Sequence, residues 1–108
     1  MNADKFTQKT IETIQTAQSM AQENGNQYLT PEHLLYALVD ADGGLIGTLL
    51  GRMGVDCNAV LSELDTAINQ LPKVSGGSGE VYASPETSKI FNFAEREAKS
   101  GGDAYVSV

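Results

Sequence analysis

The chain has 108 residues, enough for one domain with a modest core. Hydrophobic residues make up 41% of it and charged residues 19%, which is typical of a soluble globular domain and too apolar for a disordered one. Its formal charge is −7, and only 7 scattered Lys and Arg are present, which argues against a surface that follows nucleic-acid phosphates.

Cysteine content and hydropathy indicate the compartment. The single Cys57 has no partner for an internal disulfide, which fits a reducing environment. The N-terminal MNADKFTQKT lacks the apolar run of a signal peptide, and the longest apolar run, 34–39, is far too short to span a membrane. We therefore expect a cytoplasmic protein with no membrane partner.

The first predicted helix runs from the N-cap Thr7 to about Asn24, and Gly25 suits its C-terminal cap. Thr30 caps a second helix, with Pro31 preset for its first position and Glu32 facing the positive end of the helix dipole. The positions expected to be buried on these two helices are Ile11, Ile14, Ala17 and Ala21, then Leu34, Leu35 and Leu38.

Two more helices follow in the first 71 residues. Residues 46–53 form a short helix that Gly54 stops, and Asp56 caps a longer one that Pro72 ends. Their expected apolar faces are Ile46, Leu49, Leu50 and Met53, then Cys57, Val60, Leu61, Leu64, Ile68 and Leu71. Four helices with short connections predict a compact bundle over 1–71.

Residues 72–83 are rich in Gly and Ser and predict a linker. A phosphate-binding loop is disfavoured because no Gly-Lys-Ser/Thr follows a strand. Ser84 then starts a fifth helix with Pro85 and Glu86 in its first turn, and glycines at 101–102 end it. Its expected apolar face is Ile90, Phe91, Ala94 and Ala98.

The fifth helix repeats the first at an offset of 77 residues, and caps, core positions and terminating glycines all coincide. We predict an all-α tandem repeat of a four-helix unit whose second copy, 84–108, is incomplete by roughly 40 to 50 residues. The aligned pairs are Thr7–Ser84, Thr10–Thr87, Ile14–Phe91, Ala17–Ala94, Ala21–Ala98, Gly25–Gly102, Tyr28–Tyr105 and Leu29–Val106.

The whole chain resembles the N-terminal domain of Clp-family AAA+ chaperones, most closely the ClpB-type disaggregases. The segments that carry the resemblance are KFTQKTIETIQTAQSMA, LTPEHLLYALVD, INQLPKV with its Gly-rich continuation, SPETSKIFNFAEREAK and GDAYVSV. The resemblance implies a tandem repeat of four helices, in agreement with the offset, and a chaperone role. The second copy of the EHLL helix is absent, which leaves any groove that needs it in question.

The resemblance also implies a function for the longer protein. Such proteins form a hexameric ring whose ATPase domains bind ATP and magnesium, and they use ATP hydrolysis to extract unfolded or aggregated polypeptide. They act together with a co-chaperone system of the 70-kDa heat-shock class. No ATPase motif lies in this chain, so we expect a non-catalytic domain without cofactor. The resemblance places a substrate groove between the repeats, at Thr7, Phe91, Phe93 and Asp103, although Thr7 also suits a plain N-cap and Asp103 a turn.

Two alternatives remain open. One is an adaptor- or phosphoarginine-binding domain of a ClpC-type protease chaperone: the resemblance implies that the Glu at the position of Glu32 takes part in recognising phosphorylated arginine, while the helix dipole explains Glu32 without a ligand. A cysteine hydrolase would need Cys57 paired with His33, yet Cys57 lies on an apolar stripe. The Cys and His content is too small for a zinc site within the chain.

Overall fold

A computed structural model describes residues 6–41, 44–74, 80–102 and 105–106. Over these residues the chain is mostly helical, and the predicted all-α repeat is confirmed. The helices are α1 (Gln8–Glu23), α2 (Pro31–Asp40), α3 (Leu45–Arg52), α4 (Cys57–Asn69) and α5 (Pro85–Ser100). Two short strands accompany the helices: β1 (Tyr28–Leu29) lies between α1 and α2, and β2 (Tyr82–Ala83) lies between α4 and α5.

Helix α1 begins and ends where its capping residues predict. Thr7 is extended (φ −67°, ψ 158°), and its hydroxyl oxygen accepts a hydrogen bond from the Thr10 amide at 3.3 Å. After the C-cap Asn24, Gly25 takes φ +75°, a left-handed conformation that lets the chain turn toward β1. The side chains buried along α1 are Thr10, Thr13, Ile14, Ala17 and Ala21.

Helix α2 packs against both α1 and α4, and this position decides which of its leucines are buried. Leu34 is buried and Leu38 half-buried, as predicted. The prediction for Leu35 is wrong, because its side chain is 42% exposed. One residue turns the helix by about 100°, which carries Leu35 away from the face that Leu34 shares with Ala37.

Helix α3 buries none of its residues fully, and its predicted apolar face is only partly covered, with Ile46 and Leu50 half-buried. Leu49 is 43% exposed and Met53, its C-cap, 74% exposed. Helix α4 keeps its predicted cap, since the Asp56 carboxylate accepts from the Asn58 amide at 3.0 Å. On its apolar face only Ile68 is fully buried, and the remaining positions are half-buried.

The strands pair across the two units in a reciprocal way. β1 runs parallel to β2, with Leu29 opposite Ala83, and a second parallel bridge joins Phe6 to Val106. The 77-residue offset carries Leu29 onto Val106 and Phe6 onto Ala83, so each bridge is the repeat-related copy of the other. The chain before each repeated helix therefore pairs with the chain after the other one.

The predicted linker 72–83 is ordered at both ends. The Val74 amide donates to the Gly25 carbonyl at 2.8 Å, and the Tyr82 amide donates to the Gln27 carbonyl at 3.0 Å. This backbone pairing cannot be read from side-chain periodicity, and the division of the chain at 72–83 stays a prediction. Its Gly-rich centre, 75–79, lies outside the described residues.

The main hydrophobic core spans both units. Phe6 and Phe91 meet edge to face, with ring centroids 5.8 Å apart and planes at 75°. The prediction that Ile90 shares this face is wrong, because it is 44% exposed. The other buried members of the core are Ile14, Ala17, Leu29, Leu34 and Ala37.

Candidate functional site

An exposed apolar stripe on α5 is the strongest candidate for a binding surface. Ile90 and Phe93 lie three residues apart, so their side chains are neighbours on one face of the helix. Phe93 is 57% exposed, although an aromatic of this size is usually well buried. We call Ile90 and Phe93 together the α5 stripe.

Carboxylates flank the α5 stripe at both ends. Glu86 precedes Ile90 by four residues and Glu97 follows Phe93 by four, which is the helical spacing of side chains on one face. Both glutamates are exposed. Lys89 and Arg96, four residues before and three residues after Phe93, are exposed as well, so charges of both signs surround the apolar area.

Phe91 does not take part in this surface. It is 7% exposed and packs against Phe6, so its ring supports the junction of the two units. Two residues turn a helix by about 200°, so Phe93 faces away from that contact. The structure thus separates the two phenylalanines that the resemblance placed in one groove, one in the core and one in solvent.

Thr7 lies at the junction of the units, beside Phe6. Its amide donates to the Val106 carbonyl at 2.8 Å, and its hydroxyl bonds the Thr10 hydroxyl at 2.9 Å. Thr7 is half-buried, and these contacts give it a structural role as N-cap and bridge. The predicted site residue Asp103 lies outside the described residues.

The predicted ligand residue Glu32 is half-buried in the first turn of α2. It lies next to His33, and its charge raises the pKa of that imidazole, although burial lowers the pKa more strongly. The position agrees with the helix-dipole interpretation.

His33 and Cys57 are not arranged as a base and a nucleophile. The two ring nitrogens of His33 contact Thr30 and Asn26, at 2.9–3.0 Å. The Cys57 thiol is directed to the Gly47 carbonyl at 3.5 Å. Over the described ranges, no group of three or more His, Cys, Asp or Glu could hold a metal ion, and no single helix is long and apolar enough to cross a membrane.

Sequence reasoning missed an exposed pair of tyrosines. Tyr28 and Tyr82 lie opposite each other in the β1–β2 ladder and are 48% and 49% exposed. The Tyr82 hydroxyl donates to the Glu80 carboxylate at 2.6 Å, and this bond raises the pKa of the tyrosine. Only the strand register, which two residues per strand cannot reveal in a sequence, brings them together.

Known proteins of one family match this chain closely. Residues 5–108 match the family described as Clp repeat (R) N-terminal domain. The chain is 43% identical over 108 residues to the chaperone protein ClpB of Brucella suis and 41% identical over 109 residues to that of Rhodopseudomonas palustris. It matches over its full length and spans 12% of each relative. Among solved structures, the Hsp104 N-terminal domain from Candida albicans superimposes with a TM-score of 0.84 at 22% identity, over 94% of this chain and 67% of that one.

Proposed function

This chain belongs to the Clp repeat N-terminal domain family, and from that premise we propose that it is the substrate-contacting domain of a ClpB-like chaperone. In this proposal it binds unfolded or aggregated polypeptide and presents it to an ATP-driven, hexameric unfoldase. ATP hydrolysis and the contacts with a heat-shock co-chaperone belong to other parts of such a protein. The match to ClpB relatives over the whole chain supports the chaperone class.

The observation that carries the binding role is the exposure of Phe93. A 57% exposed phenylalanine beside a 44% exposed isoleucine costs solvation free energy that folding of this chain does not recover. Binding an apolar side chain of a non-native polypeptide would recover it. Charges of both signs flank the α5 stripe, so the apolar contact determines where a segment binds, and the formal charge of −7 favours segments that also carry Lys or Arg.

The other predicted site residues take supporting roles in this proposal. Phe91 fixes α5 against Phe6 and so orients the α5 stripe. Thr7 connects the start of α1 to Val106 through its backbone bond, and its half-buried hydroxyl remains a predicted polar contact. Asp103 remains a predicted polar contact.

An NMR titration tests the proposal. A permanently unfolded polypeptide is added to the 15N-labelled chain, and we expect amide shifts centred on 90–97. Phe93→Ala should weaken binding at least about tenfold, which corresponds to one well-buried aromatic contact. Met53→Ala is the matched control, because Met53 is 74% exposed on α3 and its loss should leave binding unchanged.

Three results are informative. Equal binding by the wild-type and Phe93→Ala chains would place the substrate elsewhere and contradict the α5 stripe. A folded spectrum that no unfolded polypeptide perturbs would contradict the substrate-contacting role as a whole. Two peptides that share an apolar centre, one flanked by lysines and one by glutamates, test the charge argument, and the lysine peptide should bind more tightly because the chain has a formal charge of −7.

A further inference from the structure

A buried polar cluster joins α1, α2 and the end of α4. Its members are Asn24, Asn26, Thr30 and His33, and we call it the His33 cluster. His33 is 0% exposed and Asn26 is 5% exposed, so both side chains lie out of reach of bulk water. Buried polar groups of this kind must find partners inside the protein, and no fully buried side-chain nitrogen or oxygen among the described residues lacks one.

The hydrogen bonds of His33 fix its protonation state. The Thr30 backbone N–H donates to His33 Nδ1 at 3.0 Å. An amide nitrogen can only donate, so Nδ1 carries no proton, and the proton of the neutral ring is on Nε2. Nε2 then donates to Asn26 Oδ1 at 3.0 Å. His33 occupies the third position of α2 and fills the role that Glu or Gln has in a capping box.

The cluster continues into the segment that leaves α4. Asn24 Nδ2 donates to Asn26 Oδ1 at 2.9 Å and to the Ile68 carbonyl at 3.3 Å. Asn26 Nδ2 donates to the Pro72 carbonyl at 3.1 Å. The first turn of α2 is thereby connected, through His33 and the two asparagines, to the end of α4 and to the start of the 72–74 segment.

This connection reaches the second unit through β1. The Leu29 carbonyl, which immediately precedes the Thr30 amide, accepts from the Ser84 amide at 3.0 Å and from the Thr87 hydroxyl at 2.8 Å. Both donors belong to the start of α5. A movement of the peptide group between residues 29 and 30 would therefore alter the hydrogen bonds at the start of α5, the helix that carries the α5 stripe.

We propose that the His33 cluster is an acid-sensitive latch, which holds β1 and the 72–74 segment in place while His33 is neutral and releases them when Nδ1 takes up a proton. Protonation turns Nδ1 into a donor, so the bond from the Thr30 N–H is lost, and Nδ1 can then pair only with the Thr30 hydroxyl oxygen, 2.9 Å away, which must turn its own proton elsewhere. It also leaves a positive charge in a buried site that contains amides and carbonyls. When β1 is released, the Leu29 carbonyl becomes more mobile, and its hydrogen bonds to the start of α5 weaken.

The charged groups around the cluster are few. Glu32 is the near one and lies on the same helix. Glu23 of α1 and Asp65 of α4 line an open depression on the protein surface, and Asn24 of the cluster lines it too. From the connecting segment, the backbone of Lys73 pairs with Asn26 in an antiparallel bridge. Burial lowers the pKa of His33, and Glu32 opposes this with a smaller effect.

The sign of the pH dependence follows from linkage. An unfolded histidine titrates near 6.5, while the pKa of folded His33 lies below that value. Below about pH 6.5 the unfolded chain therefore binds more protons than the folded chain, and folding stability falls as pH falls. Above that range both states are neutral at His33, and its contribution to the pH dependence vanishes.

His33 is the only histidine in the chain, so its imidazole signals can be assigned without ambiguity. We would record imidazole 15N shifts and urea unfolding midpoints of the 108-residue chain from about pH 7.5 to about pH 5, the range in which histidine charge changes. We expect the Nε2–H tautomer, a titration midpoint below the free value, a falling urea midpoint, and acid shifts at the amides of Thr30 and Val74.

Two variants make the test specific. Asn26→Asp places a carboxylate against Nε2, which favours the charged ring and should move the His33 titration to higher pH. Asn92→Asp is its control, because it makes the same change at an exposed position of α5 and should leave the titration in place. His33→Asn keeps an acceptor for the Thr30 amide and cannot take up a proton, so its urea midpoint should depend less on pH.

The latch would be overturned by a His33 that titrates at its free value, by an Nδ1–H tautomer at neutral pH, or by amides of Thr30 and Val74 that do not respond to acid. The wild-type spectra and the Asn26→Asp titration decide the matter even if His33→Asn fails to fold. None of these measurements involves a polypeptide ligand, so they stand apart from the proposed substrate role.

Discussion

Phe91 and Phe93 lie two positions apart on α5, and their surroundings give them opposite roles. Phe91 is 7% exposed and packs against Phe6, so Phe91→Ala leaves a cavity and should lower the free energy of unfolding by about 3–5 kcal/mol. Phe93→Ala removes a side chain that is 57% exposed and should change it by less than about 0.5 kcal/mol. Urea unfolding of both variants checks this, and equal losses would contradict the separation of core from surface.

Two glycines should respond with opposite sign to the same substitution. Gly25 has φ +75°, so Gly25→Ala forces a side chain into the left-handed region and should cost about 1–2 kcal/mol of stability. Gly51 lies within α3 with open space where a Cβ would point, so Gly51→Ala should stabilise the chain by about 0.5–1 kcal/mol. Thermal unfolding of the pair measures both, and a loss at Gly51 would show that α3 is not an ordinary exposed helix.

The repeated helices α1 and α5 begin with the same kind of cap but differ in what the threonine three residues after the cap binds, Thr10 in α1 and Thr87 in α5. The Ser84 and Thr7 hydroxyls each accept from the amide three residues on, at 3.2 and 3.3 Å. Their backbone angles agree within a few degrees, φ −66° and ψ 160° against φ −67° and ψ 158°. The hydroxyl of Thr87 also donates to the Leu29 carbonyl in the other unit. Repeat symmetry therefore holds for the caps, and contacts between units break it.

This difference predicts unequal effects at equivalent positions. Thr87→Val removes a buried hydrogen bond between β1 and α5 and should cost about 1–1.5 kcal/mol. Thr10→Val removes the bond to the neighbouring cap Thr7 and should cost about half of that. Both substitutions keep β-branching and the repeat position, so each controls for the other in urea unfolding. A larger loss at Thr10 would contradict the role of Thr87 as the link.

For the molecule as a whole, burial is uneven between helices. α1 buries five side chains, whereas α3 buries none. Local opening costs least where few apolar contacts must be broken. We therefore expect native-state hydrogen exchange to be faster for amides of α3 than for those of α1, at a pH where His33 is neutral. Equal protection of the two helices would mean that α3 opens only with the whole domain.

The sequence by itself determined the helices, their caps and the 77-residue repeat. These depend on interactions within a few residues, such as Thr7 with Thr10, or on spacing along one helix. Helical spacing also placed Phe91, and not Phe93, on the apolar face of the fifth helix, because a helix turns by a fixed angle per residue.

Only the tertiary structure decided the reciprocal strand pairs, the exposure of Leu35 and Ile90, and the closure of the His33 cluster. Each depends on groups far apart in sequence, as in the bond from Asn26 to the Pro72 carbonyl or from Thr87 to the Leu29 carbonyl. Strands of two residues have no measurable periodicity, and a polar side chain gives no sign in the sequence of which distant backbone group it will meet. Long-range contacts of this kind become visible only once the helices are packed.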